Sequence, residues 1–499
     1  MDFGPDYIKL LQYEVNRNPD RLMEVGKEEQ QEEAPPTCST LPAPCYIPQR
    51  SVVSTNLGGT PVTPQLTERL TGDNQASGLP LRLTTNTVQP VLEPLQIGQP
   101  SLSASPIAGD GQQCQRLNPL NSPTEAAVGL ELILFSFQNL RRILFGGTFH
   151  VFNYEWRKSY FQFREANSEL SYALDADRGG AQAIQMVIQA RVIRELLFGP
   201  SSGTGRQSLH SLQDVGQGDQ EKALAVALSD SLWLVGEEKA TVTLVTEDYC
   251  ITPHLDYKLD NFTEKLQLFT FDKKDDVRKF ILDHIQCFKE EGSHGVILFL
   301  YSLICSRTLD RLRDDLDSNT SHLLHLSLGN FVCHQALLSL LLTGRASPQL
   351  FNGTLDSSED GLERRLQGIL ARGDVGYLYW SREQMDRGLL PQVGSMLKTP
   401  RFPVWVCCIN GTYSVLFSLN RSLLSDWRME HQFQLFYYNG QNSHKTTTRL
   451  TVDTHSHHWE APSSDPGGDL EKRFPSLEMI IRTKWAGAVI NWNGTDPFY

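Results

Sequence analysis

Residues 403–419 read Pro403-Val-Trp-Val-Cys-Cys-Ile-Asn-Gly-Thr-Tyr-Ser-Val-Leu-Phe-Ser-Leu419. Two apolar runs, Pro403–Cys408 and Tyr413–Leu419, flank Asn410-Gly411, a pair that readily takes the positive φ angles of a tight hairpin turn. It is the strongest short hairpin signal in the chain. Gln432–Tyr438 and Thr448–Val452 add further strands. Upstream the apolar period changes to that of helices. Val128–Phe145 predicts a helix with Arg141 and Arg142 in its last turn and Gly146-Gly147 as its stop. Ala183–Phe198 places Ile184, Val187, Ile188, Val192 and Leu196 along one helical face. Ser201–Gln220 reads as a polar loop and Glu221–Trp233 as a helix. Thr241–Ile251 and Leu266–Phe271 read as strands, and Asp275–Phe288, Gly295–Arg307 and Asn330–Leu342 as helices. Helices come mainly first and strands cluster late, which predicts an α+β fold.

Composition divides the chain more sharply than periodicity does. Sixteen of the 26 prolines precede residue 125, whereas all eight tryptophans follow residue 155. From Ala34 to Pro123 the sequence is dominated by Pro, Ser, Thr, Gln and Gly, too little apolar matter to offset backbone entropy. Residues 1–125 are therefore expected to form a disordered arm, and residues 126–499 one large domain or two closely packed lobes. Within the arm, Ile8, Leu11 and Val15 lie near helical spacing, but a solvated tail with transient helicity is the expectation there.

The balance of 45 basic against 58 acidic residues gives a net charge of −13. It disfavours a surface that tracks phosphates, so no nucleic-acid partner is expected. The longest apolar run, Gly295–Cys305, is too short to cross a bilayer, and the first residues lack the apolar stretch of a secretory signal. Nine scattered cysteines without a C-x-x-C pair point to reduced thiols and an intracellular setting, cytoplasmic or nuclear.

Catalytic candidates fail one by one. Cys333 precedes His334, but neighbours on a helix do not face each other. His284 and Cys287 share a predicted helical face, yet they offer two ligands where zinc needs four. Cys407 and Cys408 fall on a predicted buried strand. His455, His457 and His458 near Asp453 fit a solvated loop, with nothing to complete a cage. The Gly199–Arg206 loop lacks the lysine of a phosphate-binding loop. No cofactor or metal is called for.

Four segments read together carry a resemblance. They are Arg178-Gly-Gly-Ala-Gln-Ala-Ile184, Cys333–Arg345 with its continuation to Asn352, Val393–Val406 with Ser414–Ser418, and the tail Ile481-Arg-Thr-Lys-Trp485 with Asn491-Trp-Asn-Gly-Thr-Asp-Pro497. From about Phe145 onward the chain resembles the MINDY cysteine deubiquitinases, in their longer branch with a tryptophan-rich tail. The resemblance implies a papain-like fold, and in active members cleavage of polyubiquitin. It also implies a motif Gln-x-x-Gly-Gly-Pro-Cys-Gly at the start of a central helix, the Cys as nucleophile and the Gln as oxyanion donor. Here Gly179 and Gly180 match, while the nucleophile position holds Gln182, the oxyanion position Ala176 and the proline position Ala181. The family's catalytic histidine falls on Thr412.

The resemblance thus implies a catalytically inactive member, a pseudoenzyme that binds polyubiquitin or regulates, with further protein partners reached through the N-terminal arm and no membrane partner. Two alternatives stand beside it: a deubiquitinase active through a relocated Cys333 or Cys408, and a scaffold that does not engage ubiquitin. Limited proteolysis is expected to cut first between Glu32 and Pro123 and to release a stable core beginning near Ala126. Persistent protection across Pro61–Pro106 would contradict that division.

Overall fold

The helix Gly295–Arg307 is apolar on every side, and twelve of its thirteen residues are buried. Such a segment can only be a core element. In the computed structural model, which describes residues 137–200, 208–245, 262–317, 320–359, 362–455 and 474–497, it lies against strand β1 (Ala240–Val245), which pairs antiparallel with β2 (Leu266–Phe271). The other edge of β1 would leave buried donors unpaired, at a cost comparable to lost hydrogen bonds. Two helix serines remove that cost: Thr241 N–H donates to Ser306 Oγ at 2.9 Å and Thr243 N–H to Ser302 Oγ at 2.9 Å.

The central helix, Gln182–Phe198, buries fourteen of its seventeen residues. It packs on helices Gln217–Val235 and Gln335–Thr343 and, on another side, against a six-stranded sheet. That sheet has the order β12-β11-β10-β9-β8-β7. Its strands are β7 (Gly376–Trp380), β8 (Val404–Ile409), β9 (Thr412–Phe417), β10 (Gln432–Tyr438), β11 (Thr448–Asp453) and β12 (Val489–Asn491). All neighbours are antiparallel except β7 and β8, which run parallel. The hairpin at 403–419 forms as expected, with Ile409 opposite Thr412 and positive φ at both Asn410 (50°) and Gly411 (79°).

Both faces of this sheet are covered, which is why its strands read as continuous apolar runs. Val404, Val406, Cys408, Val415 and Phe417 face the cluster that contains the central helix. Trp405, Cys407 and Leu416 face a second cluster built on helix Ser476–Arg482 and on Trp485 and Trp492. Adjacent Cys407 and Cys408 therefore point to opposite faces, as strand period requires. The tryptophan-rich tail supplies the second cover. Trp485 packs on Trp405 and Phe433 at ring separations of 5.5 and 4.8 Å, and Trp492 Nε1 donates to Glu478 Oε1 at 2.8 Å.

The α+β expectation holds, and several boundaries move. Asn330–Leu342 is not one helix: Asn330–Cys333 is strand β4, paired with β3 (Leu324–Ser327), and the helix runs Gln335–Thr343. The hairpin turns through Leu328 (φ 49°) and Gly329 (φ 82°), a conformation that glycine accepts without strain. His334 consequently caps the helix and Cys333 ends a strand, so the helical-neighbour reading of this pair does not apply. Asp275–Phe288 splits into Lys274–Asp283 and Gln286–Lys289, so His284 caps the end of one helix and Cys287 lies in the next. The polar stretch before Gln220 holds helix Leu209–Gln213 and the first turn of Gln217–Val235. Strand β7 and the hairpins β3–β4 and β5–β6 (Thr354–Glu359 with Leu362–Gln367) were not expected. The arm, residues 128–136 and 246–251, and His457 and His458 lie outside the described residues. No described helix is long and apolar enough to cross a membrane.

Three imidazoles meet on the β3–β4 hairpin. The His334 ring lies 4.4 Å from that of His325 and 5.2 Å from that of His322. Burial lowers the pKa of all three, and neighbouring imidazoles lower His325 and His334 further, the latter to about 4. The folded state thus binds fewer protons than the unfolded chain, whose histidines titrate near 6.5. Their contribution is fully present above about pH 6.5 and is lost as pH falls toward 4. His334→Ser removes one such group and adds a good N-cap. Melting curves are expected to show a smaller acid-induced fall in Tm for this variant between pH 7 and about 5; an identical fall would contradict the account.

Candidate functional site

The sequence around residue 180 permits only one arrangement. A Cβ added to Gly180 would stand 1.7 Å from the Phe331 carbonyl oxygen and 2.6 Å from Trp156 Nε1. Those two atoms are themselves bonded, Trp156 Nε1 donating to Phe331 O at 2.8 Å, with Trp156 fully buried. Cys333 Sγ donates to Gly180 O at 3.2 Å. The turn that feeds the central helix is thereby clamped onto strand β4.

The helix then opens at Gln182, whose N–H donates to Gly179 O at 3.1 Å. No side chain caps this end, and the Ala183 N–H has no acceptor among the described residues. Gln182 is 2 % exposed. Its Oε1 accepts the Tyr413 N–H at 3.1 Å, while its Nε2 is buried with no partner. A cleft of about 570 Å³ opens onto this point, with Gly179, Gly180, Ala181 and Gln182 among its lining and Tyr160, Asp175, Asp177, Arg178 and Glu291 around them.

The structure brings two of the three sequence-derived positions together. Gln182 touches the first residues of β9, and Thr412 sits there, half-buried, beside Tyr413. Ala176 is placed differently. It is buried, its N–H donates to Gly440 O at 2.9 Å, and a Cβ added to Gly440 would stand 2.9 Å from its own Cβ. Its neighbours Asp175 and Asp177 line the cleft.

Sequence reasoning missed Gln185 and Gln189. Gln182, Gln185 and Gln189 share one face of a helix read only for its apolar residues. Gln185 Nε2 donates to Tyr160 O at 2.9 Å and Gln189 Nε2 to Tyr172 O at 3.0 Å, while Gln189 Oε1 accepts from Leu174 N–H. They tie the 160–176 segment to the helix. The i, i+3, i+7 spacing of polar residues in an apolar run was the available signal.

The described thiols are poor nucleophile candidates. Burial pushes up Cys287, Cys305, Cys333, Cys407 and Cys408, whereas a reactive cysteine needs a lowered pKa. None of the five is in a disulfide. No group of three His, Cys, Asp or Glu among the described residues is arranged to hold a metal ion.

A helix N-terminus opening into a cleft beside a mixed six-stranded sheet is the architecture against which relatives can be compared. The family model for the conserved domain of the MINDY-3/4 deubiquitinating enzymes matches residues 141–494, and the chain belongs to that family. It is similar to probable ubiquitin carboxyl-terminal hydrolase MINDY-4 of Mus musculus, 38% identical over 362 residues that make up 72% of this chain and 46% of the mouse protein. The Homo sapiens MINDY-4 is 37% identical over 385 residues, covering 77% and 47% of the two chains. Ubiquitin carboxyl-terminal hydrolase MINDY-3 of Homo sapiens is 25% identical over 290 residues, 53% of this chain and 60% of that one. The chain thus spans about half the length of the MINDY-4 relatives it matches. No solved structure gives a significant match.

The two glycines of the turn make different demands. Gly180→Ala must displace backbone and is expected to cost about 3 kcal/mol, the upper end for overpacking. Gly179→Ala meets nothing within 4 Å and should stay within about 0.5 kcal/mol of the parent. Urea unfolding of the two variants checks this, and equal costs would contradict the clamp.

Proposed function

We propose that this chain is a MINDY-type pseudoenzyme that binds polyubiquitin without cleaving it, on a papain-like framework. The observation that carries this reading is Gln182 itself. It stands at the start of the central helix, where the family motif has its nucleophilic cysteine, and its Oε1 is engaged by the Tyr413 N–H. A carboxamide nitrogen is delocalised and does not attack an isopeptide carbonyl. The helix end that would stabilise a thiolate has no thiolate to act on.

The other two positions agree. Thr412 has no group that titrates near neutrality, so it cannot serve as general base. Ala176 offers no side-chain donor to a developing oxyanion, a loss worth about 2.7–4 kcal/mol where such donors operate. Relocation to Cys333 or Cys408 is disfavoured, because burial holds both thiols protonated and Cys333 already donates to Gly180 O. The five described cysteines, all free, suit a reducing intracellular compartment.

Ubiquitin carrying a C-terminal electrophile tests the reading. The parent chain and the Gln182→Cys single variant are both expected to form no adduct, since nucleophile, base and donor act as a unit. Gln182→Cys combined with Thr412→His and Ala176→Gln should label weakly at most, because a larger residue at 176 must displace its neighbours. A cysteine-dependent adduct on the parent chain would overturn the proposal in favour of a relocated nucleophile.

A further inference from the structure

We infer that an exposed apolar patch shared by the β3–β4 hairpin and the 149–154 segment is the docking surface for the chain's own residues 7–15, seated there as an amphipathic helix. The inference is independent of the ubiquitin-binding reading above. Six large apolar side chains among the described residues are at least 60 % exposed, and four of them, Phe149, Tyr154, Leu326 and Leu328, lie on these two segments.

The two segments touch. Asn153 Nδ2 donates to Asn330 Oδ1 at 2.7 Å, and the His150 ring lies 5.5 Å from that of Phe331. Leu326 pairs directly with Phe331 across the hairpin, and Ser327 with Asn330. The four exposed side chains therefore border one seam. Single apolar side chains on a surface need no explanation, but a group of them marks an interaction site. Leu328 sharpens the point. It carries the left-handed φ of the hairpin turn, 49°, with its side chain wholly in water. Asparagine or glycine would suit that turn better on both counts. A leucine gains there only when other apolar surface covers it.

Charge and chain length select the occupant. Arg157 closes the short helix that begins at Tyr154, and Arg142 stands one helical turn before Phe145, whose ring is 4.6 Å from that of Phe331. Both arginines are exposed and form no ion pair among the described residues, whereas Glu155 is already held by Lys158 at 2.9 Å. The patch thus has a cationic rim. Near the start of the sequence, Ile8, Leu11 and Val15 have the i, i+3, i+7 spacing of groove-binding helices, with Tyr7 one turn before Leu11. Asp2, Asp6 and Glu14 outnumber Lys9 there, so the segment brings negative charge to a positive rim. A second copy of the domain would instead bring another cationic rim to the first. Reach is not limiting. The first described residue, Phe137, lies in the helix that ends at Phe145 beside the patch, and some 120 residues separate Val15 from it. Tethering raises the local concentration of the segment, so a small contact suffices.

Hydrogen–deuterium exchange of the full chain, read by mass spectrometry at low protein concentration, tests the docking. Residues 7–15 are expected to exchange at least about tenfold more slowly than the same sequence as a free peptide. Leu328→Asn, which suits the turn, should remove that protection without lowering Tm, and Phe149→Ser should remove it from the other side of the seam. Conversely, Ile8→Asp combined with Leu11→Asp should speed exchange in peptides covering 148–154 and 324–331. Free-peptide rates at 7–15 in the parent chain overturn the inference. So does protection there that Leu328→Asn and Phe149→Ser both leave intact. Patch protection that survives the paired Asp substitutions and grows with protein concentration, together with a doubled mass, also overturns it and assigns the surface to a second copy.

Discussion

The site depends on a contact that only a glycine allows. Gly180 lies beneath the hydrogen bond from Trp156 to Phe331, so close that any side chain would enter the Phe331 carbonyl. The turn before the central helix, the Trp156 segment and the β3–β4 hairpin are thereby locked into one relation. The helix start is then tied on another side to β9 through Gln182 and Tyr413. Between these two attachments the helix N-terminus has little freedom, which is what a positioned chemical group requires.

The sheet contributes rigidity of a different origin. Its β8–β9 hairpin buries both faces, one under the central helix and one under helix Ser476–Arg482 with Trp485 and Trp492. The tail motif that carries much of the family resemblance thus has a structural task, covering the far side of the strand that meets Gln182. A fold held this firmly can keep its shape after its reactive groups are exchanged. On the proposed reading this is the physical basis of a pseudoenzyme: the framework is sustained by packing, and the chemistry rests on a few side chains that packing does not need.

Much of the fold was legible because it rests on local signals. The Asn410-Gly411 turn, the uniformly apolar Gly295–Arg307 and the central helix each announce themselves within twenty residues. What escaped depends on distant partners. Asn330–Cys333 reads as helix because apolar residues continue into Gln335–Thr343, and only its pairing with Leu324–Ser327 makes it a strand. Strand β7 is recognisable only through its parallel partner β8, which follows it by some twenty residues. Within the candidate site, Gln182 and Thr412 were singled out through family motifs, and the structure sets Gln182 against Tyr413, the residue after Thr412. The burial of Ala176 against Gly440 was not legible, since it is fixed by a segment remote in sequence, and Gln185 and Gln189 were passed over because the helix was read for its apolar residues.

The central claim is that this domain engages ubiquitin chains without processing them. It is tested most directly by titrating the full-length chain with homogeneous lysine-linked tetraubiquitin and following, in the same samples, both complex formation and chain length by intact-mass spectrometry. The account predicts saturable binding with every chain recovered at its starting mass. Shortened chains, or no binding at any accessible concentration, would contradict it.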